Sequence, residues 1–211
     1  MTGLRDAPRS LAQPIVGAVH VRAMVDGPFR GCQAVKIGPG EFTVSSDPEE
    51  AVLTVLGSCV AACIRDPVVK VGGMNHFMLP GKGAAQWGTD SASLRYGTFA
   101  MERLVNELLK RGAMRSRLEV KLFGGAVVGS GCASIGARNA AFAQDYLRAE
   151  GMVPMITDLG GNQARRVVYQ PVDGRAFVRV LPELQQDVAE NEGRLRRHLA
   201  LRPIAGSVEL F

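Results

Sequence analysis

Between Val52 and Gly73 the sequence permits little but short strands joined by sharp turns, and this constrains the whole fold. Val52 to Leu56 is a run of strand formers, Gly57-Ser58 ends or kinks it, and Val60 to Ile64 can continue it. Asp66-Pro67 terminates that run, since a proline pushes the residue before it out of the helical region. Val68 to Val71 leads into a second tight turn at Gly72-Gly73, then into the apolar segment His76 to Leu79. The centre of the chain is therefore β-rich.

The flanks are mixed. Val16 to Ile37 reads as strand or extended chain, Gly38-Pro39-Gly40 as a turn and Ser45-Ser46-Asp47-Pro48 as a second break. Ser91 to Gly112 predicts a helix: Leu94, Phe99, Leu104, Val105, Leu108 and Leu109 fall near helical spacing, and Gly112 stops it. Leu118 to Phe123 alternates apolar with charged, as a half-buried strand does, and a second helix is expected from about Ala137 to Glu150. Val153 to Thr157, Arg166 to Gln170 and Ala176 to Leu181 read as further strands. A last amphipathic helix, about 182–199, is polar on most faces and is expected on the surface. Strands and helices mix without strict alternation, which gives an α+β class rather than a doubly wound α/β one. The expected organisation is a flexible tail over residues 1–15 and a single domain over 16–211.

A chain of 211 residues can bury roughly 70% of its unfolded surface in one domain. Met1 to Pro14 carries Arg5, Asp6 and Arg9 where a signal peptide needs an apolar core. The uncharged run Ala51 to Ile64, interrupted by Thr, Gly and Ser, falls short of the ~20 apolar residues of a membrane span. A cytoplasmic protein without membrane insertion is expected. The formal charge of +5 is modest, and the basic clusters at Arg194 to His198 and Arg115 to Arg117 lack interleaved stacking aromatics. They read as solvated helix faces, and no nucleic-acid partner is expected.

Chemistry is concentrated in two segments. Cys59 sits on the Gly57-Ser58 turn, and His76, one of three histidines, follows Gly73-Met74-Asn75. A thiol becomes an effective nucleophile when a histidine or backbone N–H groups stabilise its thiolate. Gly57 and Ser58 leave room for a substrate carbonyl, and the N–H groups of the turn can form an oxyanion hole. The opposing reading is a buried apolar cysteine and a satisfied core histidine. That reading is the better one for Cys63, and Cys32 and Cys132 are also read as structural. Cys59 and Cys63 have no matching Cys or His pair, so no metal site is expected. The glycines at 129, 131 and 136 fit no phosphate-binding fingerprint and read as tight turns supporting a site.

At these residues the chain closely resembles the chemoreceptor glutamine deamidase family, CheD. The resemblance rests on Leu56-Gly57-Ser58-Cys59-Val60-Ala61, Arg65-Asp66-Pro67 and Gly73-Met74-Asn75-His76-Phe77-Met78-Leu79-Pro80. It continues through Tyr96-Gly97, Lys121 to Ala126, Ile135 to Asn139, Asp158 to Gly161 and Arg165-Arg166-Val167, about Val35 to Leu181 in all. It implies packed mixed β-sheets flanked by helices, similar to deamidating-toxin cysteine hydrolase domains. It implies a cofactor-free hydrolase that converts receptor glutamines to glutamates with release of ammonia, through a cysteine thioester. Carried over, the nucleophile is Cys59, the acid/base His76, and the third catalytic residue Thr54, which orients the imidazole. Gly57, Ser58, Gly73 and Asn75 are expected to support the oxyanion site and the turns. The implied partners are chemotaxis receptors, through their cytoplasmic helical region, and a CheC-type phosphatase. Two alternatives use the same residues: a non-catalytic chemotaxis binding partner, and a methylesterase acting on receptor glutamate esters.

Overall fold

The structure, a computed structural model, describes residues 29–79, 91–128 and 133–201. The expected tail, the extended reading of residues 16–28, Cys132 and the glycines at 129 and 131 lie outside these. The described strands are β1 (Gln33–Lys36), β2 (Phe42–Ser45), β3 (Glu50–Leu56), β4 (Val60–Asp66), β5 (Val71–Asn75), β6 (Glu119–Gly124), β7 (Pro154–Leu159), β8 (Arg165–Tyr169) and β9 (Ala176–Val180). The helices are α1 (Ser91–Lys110), α2 (Ala133–Ala149) and α3 (Gln185–Leu201). The fold is α+β, with two mixed sheets.

One sheet runs β1-β3-β8-β9 and the other β2-β5-β4-β6-β7. Parallel pairs β1/β3 and β6/β7 sit beside antiparallel neighbours, so both sheets are mixed. Strand β4 is buried on both faces, which its uninterrupted Val60-Ala61-Ala62-Cys63-Ile64 run requires. Val60, Ala62 and Ile64 join Leu104, Leu108, Phe142 and Leu147 in a core between the five-stranded sheet and helices α1 and α2. Ala61 and Cys63 join Val52, Leu56, Met74, Phe123, Val167 and Tyr169 in a second core between the two sheets. Each fully buried Leu, Ile or Phe contributes about 1.5–3 kcal/mol.

Two local expectations are corrected. Val60 to Ile64 does not continue the strand before it: β3 and β4 belong to different sheets, and Gly57-Ser58-Cys59 is the crossing. Gly72 and Gly73 lie within β5 rather than in a turn, and the chain reverses before them, between Asp66 and Val71. The glycines serve close approach: a Cβ on Gly73 would lie 2.4 Å from the Thr43 carbonyl oxygen and 2.8 Å from Leu104 of α1. The two-residue reading of a turn from Gly-Gly misses this use, where bare backbone lets a helix and a neighbouring strand pack closely.

Candidate active site

The crossing between sheets fixes the cysteine. Its three carbonyls are all held: Ala126 N–H donates to Gly57 O (2.8 Å) and Gly125 N–H to Cys59 O (2.7 Å). Asn139 of α2 donates from Nδ2 to Ser58 O at 2.7 Å. Gly124, with φ +111°, passes so close that a Cβ there would lie 2.1 Å from the Cys59 carbonyl oxygen. With the carbonyls anchored, the N–H groups of Gly57, Ser58 and Cys59 converge as an anion-binding nest.

The histidine is brought to the same place by a short antiparallel bridge. Val60 N–H donates to Phe77 O at 3.0 Å and Phe77 N–H to Val60 O at 2.9 Å. Val60 and Phe77 face the helices, while Cys59, Ala61 and Met78 face the other sheet. Cys59 and His76 are therefore diagonal neighbours on one face, a relation that spans about 7–8 Å between backbones and is within side-chain reach. The His76 backbone is also clamped, its N–H donating to Glu41 O (3.0 Å) and its carbonyl accepting from Gly40 N–H (2.7 Å).

Thr54 comes from the facing sheet. It occupies the inward row Val52, Thr54, Leu56 of β3 and is fully buried. Its Oγ1 lies 2.8 Å from His76 Nδ1 and 2.8 Å from the Ile37 carbonyl oxygen. A hydroxyl has one hydrogen, and the carbonyl can only accept, so that hydrogen goes to Ile37. Thr54 then accepts from Nδ1–H, which leaves the lone pair of the neutral ring on Nε2. Among the described residues, Nε2 is a buried nitrogen with no hydrogen-bond partner. Burial lowers the His76 pKa from 6.5 to about 4, against an opposing pull from Glu192, so the ring is neutral at physiological pH.

Glu192 is the residue that sequence reasoning did not single out. It sits on α3, 135 positions from Gly57, yet its carboxylate fills the nest. Gly57 N–H donates to Oε1 at 2.9 Å, Ser58 N–H to Oε2 at 2.8 Å and Cys59 N–H to Oε1 at 3.2 Å. The Ser58 hydroxyl donates to Oε2 at 2.5 Å. Burial, and after it the Glu192 charge and hydrogen bond, raise the Cys59 thiol well above its ordinary range, so the sulfur is held protonated.

The other expected residues are placed as follows. Asn75 accepts from Ala62 N–H at 2.9 Å and donates to Ala100 O at 3.1 Å, fastening β5 to β4 and α1. Its side chain is not part of the nest. Gly57 gives clearance: a Cβ would lie 2.6 Å from Val128 and 2.9 Å from Val188. Cys63 is fully buried, and desolvation raises its thiol pKa, which suits a filler. Asn139, a second residue not singled out as functional, ties the two turns together by also accepting from Leu79 N–H at 2.9 Å. Among the described residues no cluster of three His, Cys, Asp or Glu side chains forms a metal site.

A thiol, an imidazole with a free Nε2, an orienting hydroxyl and a backbone nest form the equipment of a cysteine-dependent acyl-transfer site. A family model described as "CheD chemotactic sensory transduction" matches residues 78–180, beginning two positions after His76 and ending ahead of α3. The chain is similar, at 51% identity over 179 residues and 84% of each protein, to a Rhodopseudomonas palustris (strain BisA53) protein named "Probable chemoreceptor glutamine deamidase CheD". Proteins of the same name from Acidiphilium cryptum (strain JF-5) and Hydrogenovibrio crunogenus (strain DSM 25203 / XCL-2) are 48% and 47% identical. Those matches cover 84% and 87% of this chain and 93% and 97% of the relatives. The chain belongs to the CheD family. A solved Neisseria meningitidis structure of family model DUF152 overlaps at a TM-score of 0.38 with 9% identity, over 62% of this chain and 64% of its own, too distant to bear on the site. Among the described residues no helix is long and apolar enough to cross a membrane.

Proposed function

We propose that this protein is a protein-glutamine deamidase of chemotaxis receptors, with Cys59 as nucleophile, His76 as general acid/base and Thr54 as the residue that orients the imidazole. The observation that carries this reading is the Thr54–His76 hydrogen bond, which leaves Nε2 unprotonated on the face that holds Cys59.

The reaction balances without a cofactor. His76 Nε2 takes the thiol proton, and the Cys59 sulfur attacks the carbon of a glutamine carboxamide. The oxyanion forms in the nest of Gly57, Ser58 and Cys59 N–H groups, each donor of this kind being worth about 3 kcal/mol. Nε2–H then protonates the departing nitrogen, ammonia leaves and a thioester remains. Water, deprotonated by Nε2, attacks the thioester; the sulfur recovers its proton and a glutamate side chain is released. Each event adds one negative charge to a receptor helix, which alters the packing of a coiled coil.

The test is peptide mass spectrometry of a receptor cytoplasmic fragment incubated with the protein, beside a Cys59→Ala control. Glutamine-to-glutamate conversion at discrete positions, absent in the control, is the expected result. A fragment that binds and stays unchanged would identify a non-catalytic partner instead, and loss of methyl esters alone would identify an esterase.

A further inference from the structure

The nest that should take the substrate is already filled, by this chain. Glu192 accepts four hydrogen bonds from the Gly57-Ser58-Cys59 turn. The reacting residues are closed off beside it: Cys59 is 0% and His76 3% exposed. Beside the carboxylate lies a cleft of about 430 Å³, with Ile37, Thr54 and His76 on one side and Val188, Glu192 and Leu195 on the other. With Cys59 fully buried, no substrate glutamine reaches its sulfur in this arrangement.

Two features make this occupancy more than a structural salt link. The turn has anchors outside α3, since its three carbonyls accept from Gly125, Ala126 and Asn139. The occupant is also chemically particular. A glutamate side chain is the product of glutamine deamidation, and its carboxylate has the size and shape of the carboxamide that is attacked. The helix is otherwise lightly held, with Val188, Ala189 and Leu195 as its apolar anchors on the two neighbouring cores. Polar residues such as Gln186, Glu190 and Arg194 stay exposed. Gly193, beside Glu192, lowers the intrinsic preference for helix further.

We infer that α3 is an autoinhibitory helix whose Glu192 is a tethered product analogue: its carboxylate occupies the subsite for the substrate's side-chain carboxamide, and a glutamine-bearing helical segment must displace it. This rests on the deamidase reading above. The resting enzyme is closed in two ways, since the subsite is filled and a negative charge stands beside the sulfur that must become a thiolate.

Two measurements on the full chain test it. In the first, Cys59 alkylation by iodoacetamide is followed by peptide mass spectrometry in the wild type and in Glu192→Ala. The expected acceleration is about tenfold or more, the factor that 1.4 kcal/mol of lost docking confers. An unchanged rate in a folded variant overturns the plug. In the second, which keeps the shape of the side chain, residue 192 is read in purified Glu192→Gln. Conversion of that glutamine to glutamate, absent in the Cys59→Ala/Glu192→Gln double variant, places a carboxamide where the sulfur attacks. Glutamine persisting in both, while the wild type deamidates a receptor fragment, refutes the subsite and leaves the deamidase reading standing. If the receptor fragment is also untouched, the deamidase reading itself fails and takes the proposal with it.

Discussion

Replacing Thr54 by valine is the sharpest perturbation of the proposed catalytic geometry, because it changes almost no volume and removes one hydroxyl. Two buried groups lose their partner, the Ile37 carbonyl and His76 Nδ1–H. An unsatisfied buried group costs about 1–3 kcal/mol, so a stability loss of about 3 kcal/mol is expected for the pair. That is a large share of a typical 5–15 kcal/mol, yet it leaves the protein folded. The kinetic effect is separate. Without an acceptor at Nδ1, the neutral ring is free to carry its proton on Nε2, where it cannot receive one from Cys59. One hydrogen bond of about 1–3 kcal/mol then translates into a deamidation rate lower by one to two orders of magnitude. In the variant the charged ring keeps an unpaired Nδ1–H whereas the neutral ring avoids one by moving its proton, so the acidic limb of the pH–rate profile should move to lower pH while the whole curve drops. Thr54→Ser, which restores the hydroxyl, should recover most of the rate. The assay is the initial rate of glutamine conversion across pH, with circular dichroism confirming the fold. A Thr54→Val enzyme that keeps the wild-type rate while still requiring His76 would falsify the orienting role.

Cys59→Ala should abolish deamidation and shift stability by only about 1 kcal/mol, since one buried sulfur is lost; collapse of the fold in thermal unfolding would support a packing role instead. Asn139→Ala strips a partner from Ser58 O and Leu79 N–H together, so a loss of about 3 kcal/mol in urea unfolding and a slower reaction are expected. A loss below 1 kcal/mol in that unfolding measurement would show that water replaces the amide. His76 has a folded value of about 4 against an ordinary 6.5, so the unfolded chain takes up the proton first. Its contribution to stability is whole above pH 6.5 and is lost progressively as pH falls towards 4. At 1.36 kcal/mol per pH unit that loss is about 3 kcal/mol. Wild type should therefore lose more stability than His76→Gln between pH 7 and 4.5, and parallel curves would mean that the ring is not held neutral.

Much of the fold was legible because its strands are short, apolar and punctuated. The β3, β6, β8 and β9 spans follow directly from runs of strand formers ended by Gly, Asp-Gly or a polar break. The helix α1 follows from its apolar spacing and Gly112. What pattern alone could not supply was partnership. Val60 to Ile64 looks like a continuation of Val52 to Leu56, since nothing in an apolar run states which sheet it joins. Gly73 looks like a turn because a glycine needed for clearance reads the same as one needed for conformation. Thr54 and His76 carry readable chemistry, and the resemblance to known relatives linked them. Glu192 carries no such mark: it is one acidic residue among Asp187 and Glu190 on a helix whose composition predicts a solvated surface. Its inward turn is set by Val188 and Leu195 on either side of it and by a nest built far away in sequence.

The site is split between two layers, and this has a consequence for how the protein is made. Thr54 belongs to the outer sheet and His76 to the one beneath the helices, so their hydrogen bond exists only when the layers have closed on each other. Both residues, and Cys59, leave the ribosome early. Strand β8, which pairs with Thr54 at Val167, is synthesised long afterwards. A half-made chain thus carries the thiol without an oriented base. Under the proposed activity, a protein able to rewrite glutamine side chains stays harmless to the nascent chains around it until its own fold is complete.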